Sequence, residues 1–165
     1  AVKYLYENDI MNGTSKTEFS PNAELTRGMV VTILYRMEGE PLTAGAKTFS
    51  DVKAGIYYSK AVDWAAEKNI VNGFSDGTFK PEQPVTREQL ATIISRYAVS
   101  KGIVVYDAAN ALASTDVVSA WARSNVAWAA AKGILTKTET TNATKTASRA
   151  EVATAIYTYL TKTAK

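Results

Sequence analysis

The chain repeats one unit of about 60 residues three times, and this repetition constrains its fold more than any other feature. Residues 1–37 align with residues 61–97 without a gap, and both carry Ala-Val, Gly, Phe-x-Pro and Thr-Arg in the same order. The third copy follows at a slightly larger offset and ends in a matching segment at 148–160. Units of this size bury too little surface to fold alone, so we expect the copies to pack on one another.

Copy 2 indicates that each unit is a helix, a structured loop and a second helix. The Ala-rich segment 58–68 is expected to form the first helix, and Asp76-Gly77 is typical of a tight turn. Thr86 is a good N-cap for the second helix, with Gln89 at the capping-box spacing. Equivalent caps are expected at Thr26 and Ser148.

The copies are expected to form one compact domain although they differ in completeness. The predicted boundaries are 1–40, 48–100 and 112–163, with linkers around 39–47 and 100–114. Copy 1 has no counterpart of Phe-Ser-Asp-Val at 49–52. We expect one of two reasons for this difference. Either the segment has been removed from the chain, or residues from elsewhere, including a second chain, complete this lobe. Copy 3 has lost the Phe-x-Pro of the loop and has Lys137 near the position of Gly73.

The composition excludes several classes of function. The chain has no Cys and no His, which rules out catalysis built on either residue and a structural zinc site, so no cofactor or metal is expected. The absence of Cys favours, weakly, a location outside a bacterial cell. The net charge of +3 suits an anionic partner, but no basic run of the nucleic-acid-binding type occurs.

No transmembrane span is predicted, because nothing approaches 18 consecutive apolar residues. No signal peptide is recognisable, and the chain begins at Ala1 rather than Met. We therefore expect a fragment or a processed product of a longer protein.

Copy 2 resembles the S-layer homology (SLH) repeat. The residues that carry the resemblance are Phe-Ser-Asp-Val at 49–52, Ala-Val-Asp-Trp-Ala at 61–65, the loop 69–81 and Val-Thr-Arg-Glu-Gln-Leu-Ala at 85–91. Copy 1 matches from Ala1 and keeps Leu-Thr-Arg, whereas copy 3 keeps the Asp-Val, Trp-Ala, Gly-Ile and Ser-Arg-Ala-Glu elements but departs in the loop. The resemblance covers essentially the whole chain.

The resemblance implies an all-α fold in which three repeats form a pseudo-threefold arrangement around a central helical bundle, with grooves between lobes. Such domains are non-catalytic and anchor S-layer subunits or wall-bound enzymes to secondary cell wall polymers of the bacterial envelope. In many members the ligand is a pyruvylated N-acetylmannosamine residue, which carries a carboxylate. This chain would then be an extracellular part of a larger surface protein, binding an anionic wall polysaccharide in its inter-repeat grooves.

Three arginines are the first candidates for ligand binding. Arg27, Arg87 and Arg149 each follow a capping Thr or Ser, where a guanidinium would lie beside free backbone N–H groups at the positive end of a helix. Arginine also holds carboxylates bidentately. The alternative is that these side chains are solvated or paired with Asp. Asp51 and Asp116, which open their copies, are either acceptors for sugar hydroxyls or structural partners.

Aromatic residues supply candidate stacking platforms. Tyr57 and Trp121 occupy matching positions and would either stack on a sugar face or be half-buried packing. Trp64 and Trp128 lie on the Ala-rich helices and are expected in the core.

Two loop glycines complete the candidate site. Gly13 and Gly73 would either let the backbone approach a ligand or provide positive φ, and Gly73 follows the first helix where such a φ is often needed. Lys137 adds a side chain at this point of copy 3, so the grooves are expected to be unequal. Asp76-Gly77 lacks the further carboxylates of an EF-hand calcium loop and is predicted to be a turn.

The resulting prediction is a non-catalytic carbohydrate-binding anchor. One alternative is a protein-interaction or self-association module of a surface layer, which would have no affinity for saccharides. Another keeps the fold but binds peptidoglycan directly. Catalysis is the weakest alternative, because carboxylate pairs such as Glu38 and Glu40 lie in stretches of solvent-exposed character.

Overall fold

A computed structural model describes residues 1–15, 17–45, 49–106 and 108–164. These residues form seven α-helices and no β-strand, which confirms the all-α prediction. The helices are α1 (Val2–Glu7), α2 (Arg27–Met37), α3 (Ser59–Glu67), α4 (Arg87–Ser100), α5 (Arg123–Ala131), α6 (Lys137–Thr141) and α7 (Arg149–Thr158). The boundary predicted between the first linker and copy 2, at 47 and 48, lies outside the described residues, as does residue 107 of the second linker.

The second helix of every copy begins at the predicted residue. The hydroxyls of Thr26, Thr86 and Ser148 each accept a hydrogen bond from the backbone N–H three residues later. The capping box predicted at Thr86 and Gln89 is present, and Ser148 forms another. These starts were predictable because a cap involves only neighbours in sequence.

The first helix of copy 2 ends close to the predicted residue 68, but the left-handed residue after it is not the predicted one. Helix α3 is followed by Asn69 with a φ of 57°, and Asp9 and Gly133 take positive φ at the matching positions. Asn69 therefore provides the left-handed residue at the helix end, a role that the sequence suggested for Gly73. Asn and Asp tolerate this conformation better than other side chains do.

Gly73 and Gly13 are required in the loops because neither position has room for a side chain. Gly73 does have a positive φ of 72°, and a Cβ on it would lie 2.3 Å from the Phe49 ring. Gly13 has no positive φ, but a Cβ there would lie 2.6 Å from the carbonyl oxygens of Ser15 and Glu18. The conformational explanation thus applies to Gly73 and is wrong for Gly13.

The helices pack in pairs that join successive copies. The first helix of copy 2, α3, packs on α2 of copy 1, and α5 of copy 3 packs on α4 of copy 2. Helix α1 packs on α7, so the third pair joins copy 3 back to copy 1 and closes a ring. Small buried residues such as Ala61 and Ala127 line the first helices, and Trp64 and Trp128 are buried as predicted.

A hydrogen-bonded seam holds the ring together where the second helices begin. The first two backbone N–H groups of α2, α4 and α7 donate to two carbonyls in the loop of the next copy, at 2.8 to 3.0 Å. The six bonds run from Arg27 to Gln83, Gly28 to Pro81, Arg87 to Lys145, Glu88 to Ala143, Arg149 to Ala23 and Ala150 to Pro21. The same pattern in three places gives the arrangement its pseudo-threefold character.

Copies 1 and 2 differ at one packing position beside the loop, which we call the slot. In copy 2 the ring of Phe49 packs on Phe79, and the Asp51 carboxylate accepts hydrogen bonds from the backbone N–H groups of Phe79 and Lys80 at 2.8 and 2.7 Å. Copy 1 has an open, mostly apolar cavity of about 450 Å³ at this place, lined by Val2, Tyr6, Gly13 and Phe19 among others. The N–H groups of Phe19 and Ser20, which match those of Phe79 and Lys80, have no partner among the described residues.

Candidate functional site

The larger of two equivalent grooves lies where the three copies meet beside α4. It encloses about 430 Å³, within the range of small-molecule sites. Arg27 of copy 1, the loop 70–74 of copy 2, one face of α4 from Glu88 to Arg96 and Trp121 of copy 3 line it. Trp121 is 58% exposed, so its indole is available for contact rather than packed in the core.

A smaller groove of about 210 Å³ repeats this arrangement one copy earlier. Arg149 takes the place of Arg27, and Gly13 takes the place of Gly73. Tyr57, which is 56% exposed, takes the place of Trp121, and Arg36 takes the place of Arg96. Six of the nine residues selected from the sequence thus line two equivalent grooves, namely Arg27, Gly73 and Trp121 in one and Arg149, Gly13 and Tyr57 in the other.

Arg27 and Arg149 are largely buried and join the copies. The Nε of Arg27 donates to the Phe79 carbonyl at 2.9 Å, and its guanidinium lies over the rings of Phe74 and Phe79. Burial lowers the pKa of Arg27 to about 10, although Asp51 opposes the shift, so the side chain stays charged at neutral pH. Arg149 repeats the Nε bond to Phe19 and donates a second bond to the Asn12 carbonyl.

The predicted receptor of free backbone N–H groups is absent at these helix starts. The seam uses the first two N–H groups of each second helix, and the capping hydroxyl uses the third. The expectation failed because the acceptors belong to another copy, more than 50 residues away in sequence. An anion in either groove must therefore be held by side chains or by the loop.

Arg87 holds the equivalent position at the third copy boundary and lines neither of the two grooves. Its guanidinium makes a bidentate pair with the Glu151 carboxylate at 2.8 and 3.2 Å, and it also donates to the Asn142 carbonyl. In this copy Lys137, which replaces the loop glycine, begins the short helix α6 and pairs with Asp116. Protein side chains therefore occupy this third position.

Asp51 and Asp116 act within their own copies. Both carboxylate oxygens of Asp51 accept backbone N–H groups of its loop, and this residue lies outside the two grooves. The side chain of Asp116 is fully buried, and the hydrogen bond from Lys137 lowers the pKa of its carboxyl. The structural alternative considered for these residues fits their contacts better than sugar recognition does.

Sequence reasoning missed Arg96 and Arg36. Each lies nine residues after the Arg of the Thr-Arg pair, on the groove face of its helix. The signal was available, because the aligned segments 90–97 and 30–37 both carry Arg at this position, whereas copy 3 has Thr158. It was passed over because a single Arg within an apolar helix looks like a solvated surface residue.

The described residues contain no group of three or more acidic residues placed to hold a metal ion. None of the described helices is long and apolar enough to cross a membrane. Asp76 accepts hydrogen bonds from the N–H and hydroxyl of Thr78, as expected for a residue that closes a turn.

A closed ring of repeated helical units with grooves at the copy boundaries defines a tandem-repeat helical architecture. The family model of the S-layer homology domain matches residues 1–28 and 48–91, which lie in the first two copies. The first two copies thus match the S-layer homology family, which confirms the resemblance found in the sequence. Repeats of this family are non-catalytic, and this confirms the expectation that the chain is not an enzyme.

Proteins similar to this chain include enzymes and cell-surface proteins. An amylopullulanase from Thermoanaerobacterium thermosulfurigenes is 32% identical over 168 residues, which cover 98% of this chain and 9% of the enzyme. A cellulosome-anchoring protein from Acetivibrio thermocellus is 26% identical over 121 residues, or 71% of this chain and 27% of that protein. A middle cell wall protein from Brevibacillus brevis is 33% identical over 101 residues, or 58% of this chain and 9% of that protein. The chain thus spans only a small part of each relative.

Proposed function

We propose that the chain anchors a larger protein at the bacterial cell surface by binding an anionic polysaccharide of the cell wall in its two grooves. The observation that carries this proposal is the repetition of one set of groups, an exposed aromatic ring, two arginines and a glycine loop, in two separate grooves. The match to the S-layer homology family and the cellulosome-anchoring relative support the anchoring role.

The two grooves suit a saccharide. Exposed Trp and Tyr side chains offer a flat apolar face with a polar edge, which matches the alternating faces of a sugar ring. The arginines favour a carboxylate-bearing residue such as a pyruvylated N-acetylmannosamine, the ligand implied by the family resemblance. Two grooves on one rigid ring would also gain affinity by avidity along a repetitive polymer.

The test is binding to purified cell-wall sacculi before and after acid extraction of their non-peptidoglycan polymer. The parent chain should bind intact sacculi and lose most of this binding after extraction. The double variant Trp121→Ala with Tyr57→Ala should bind at least about tenfold more weakly, since each ring would lose an apolar contact worth about 1 kcal/mol or more. Tyr106→Ala is the matched control, because Tyr106 is 49% exposed and lines neither groove.

Each other result would favour an alternative. Binding that survives extraction would identify peptidoglycan as the ligand. Absence of binding, together with concentration-dependent self-association, would identify an interaction module instead.

A further inference from the structure

Arg96 differs from Arg27, the other arginine that lines the larger groove, in having no partner among the described residues. It is half-buried in the groove wall, and among the described residues it forms no hydrogen bond and no ion pair. Burial lowers its pKa, with no neighbouring carboxylate to oppose the shift. A desolvated cation without a counter-charge is unfavourable, so an anion that enters this groove would be stabilised beside it.

The acidic residue in the same groove is already engaged. Glu88 accepts hydrogen bonds from both the N–H and the hydroxyl of Ser119, each at 2.9 Å. Arg27, the other cation of the groove, has its Nε bound to the Phe79 carbonyl and its guanidinium stacked on two rings. Only the Nη groups of Arg27 remain without a partner among the described residues, so Arg96 offers more unsatisfied donors to a ligand.

Arg36 repeats this situation in the smaller groove. Its only ion pair among the described residues is with Glu40, at 4.0 Å. The side chain of Arg36 is 35% exposed and that of Glu40 is 62% exposed. Such loose surface pairs contribute little. Replacing the ion pair with Glu40 by one between Arg36 and a ligand carboxylate would therefore cost little free energy.

The third copy boundary differs from the other two in its arginines. Thr158 stands where copies 1 and 2 have arginine, and Arg87 is neutralised by the bidentate pair with Glu151. Lys137 is likewise paired with Asp116. No arginine there is left for a ligand.

We infer that Arg96 and Arg36, rather than the arginines of the Thr-Arg and Ser-Arg pairs, hold the anionic group of the ligand, and that two of the three copy boundaries bind it. This inference rests on the proposed function. Arg27 and Arg149 would then hold the loops in place. The ion pair with Glu151 would keep Arg87 from binding a ligand.

The experiment compares the extracted wall polymer with the same polymer after its carboxyl groups have been reduced to alcohols. The parent chain should bind native polymer at least about tenfold more tightly than reduced polymer, the loss expected for charge-assisted hydrogen bonds. The variant Arg96→Ala with Arg36→Ala should bind both polymers equally weakly. Arg123→Ala, an exposed arginine outside both grooves, should behave like the parent.

A second variant tests the third copy boundary. Arg87→Ala should keep the preference for native polymer, with thermal unfolding measured beside it to separate loss of fold from loss of binding. Titration with pyruvylated N-acetylmannosamine should give two sites per chain for the parent and one for Arg96→Ala, with neutral N-acetylmannosamine as the control.

The outcomes separate the two proposals. A parent chain that does not bind wall polymer would refute the proposed function and this inference together. A parent that binds native and reduced polymer equally, or a double variant that still prefers native polymer, would refute the inference alone. Three sites per chain, or loss of the preference in Arg87→Ala, would do the same.

Discussion

At the scale of single residues, three arginines with the same place in the repeat have different environments. Arg27 and Arg149 are buried against aromatic rings and loop carbonyls of the next copy, whereas Arg87 is paired with Glu151. Their positions were predictable from the repeat, but their partners lie 52 to 137 residues away in sequence. The repeat also shows Arg96 and Arg36 at matching positions, but only the structure shows that they line the grooves without a strong partner.

Arg27→Ala should destabilise the fold. The substitution leaves the Phe79 carbonyl without its donor and removes a guanidinium stacked on two rings, so the free energy of unfolding should fall by about 2 to 4 kcal/mol. Urea unfolding measures this change. Arg123→Ala, on the exposed start of α5, should change the free energy by less than about 0.5 kcal/mol. Equal small effects in the two variants would show that Arg27 does not join the copies.

At the scale of elements, features set by neighbours in sequence were predictable and those set by other copies were not. The second helices begin where their caps indicated, because a hydroxyl and an N–H three residues later suffice. The positive φ directly after the first helix falls on Asn69, whereas the sequence suggested Gly73, because glycine is only one of the residues that accept positive φ. The grooves themselves are formed by three copies, and no local pattern specifies how those copies meet.

The open slot of copy 1 gives a prediction at this scale. Joining a copy of segment 49–60 ahead of Ala1 places Phe-Ser-Asp-Val at the same distance from copy 1 as it has in copy 2. The Phe should fill the cavity of about 450 Å³ and the Asp should accept the N–H groups of Phe19 and Ser20. The free energy of unfolding should rise by about 2 to 4 kcal/mol, from one buried Phe and two charge-assisted hydrogen bonds.

The control for this graft is the same segment with Ser-Ser-Asn-Val, which removes the ring and the charge but keeps the length. It should give less than half of the increase, measured by urea unfolding. An equal increase from both grafts would mean that added helix length, and not the slot, accounts for the stabilisation.

At the scale of the whole molecule, stability depends on closing the ring. Each helix pair joins two copies, so removing one copy breaks two pairs and also leaves seam N–H groups without acceptors. We therefore expect the copies to be units of sequence but not units of folding. The repeat predicted that they pack together, whereas the pairing of α1 with α7 became evident only in three dimensions.

A chain shortened to residues 1–106 should not fold cooperatively. It would lose α5 and α7, the partners of α4 and α1, and the Lys145 and Ala143 carbonyls that accept from the start of α4. The full chain should show one urea transition that coincides by far-ultraviolet circular dichroism and tryptophan fluorescence. A sigmoidal transition of similar steepness in the shortened chain would show that two copies suffice.

The closed ring also determines how the molecule would carry mechanical load. Helices α1 and α7 lie against each other, with the ring of Tyr4 edge-on to Tyr157 at 5.4 Å, so both ends of the described chain leave from one lobe. Tension between the two ends would peel this one helix pair apart and leave the other two pairs unstressed. Tension between a groove-bound polymer and either end would instead cross the seam, where several hydrogen bonds share the force.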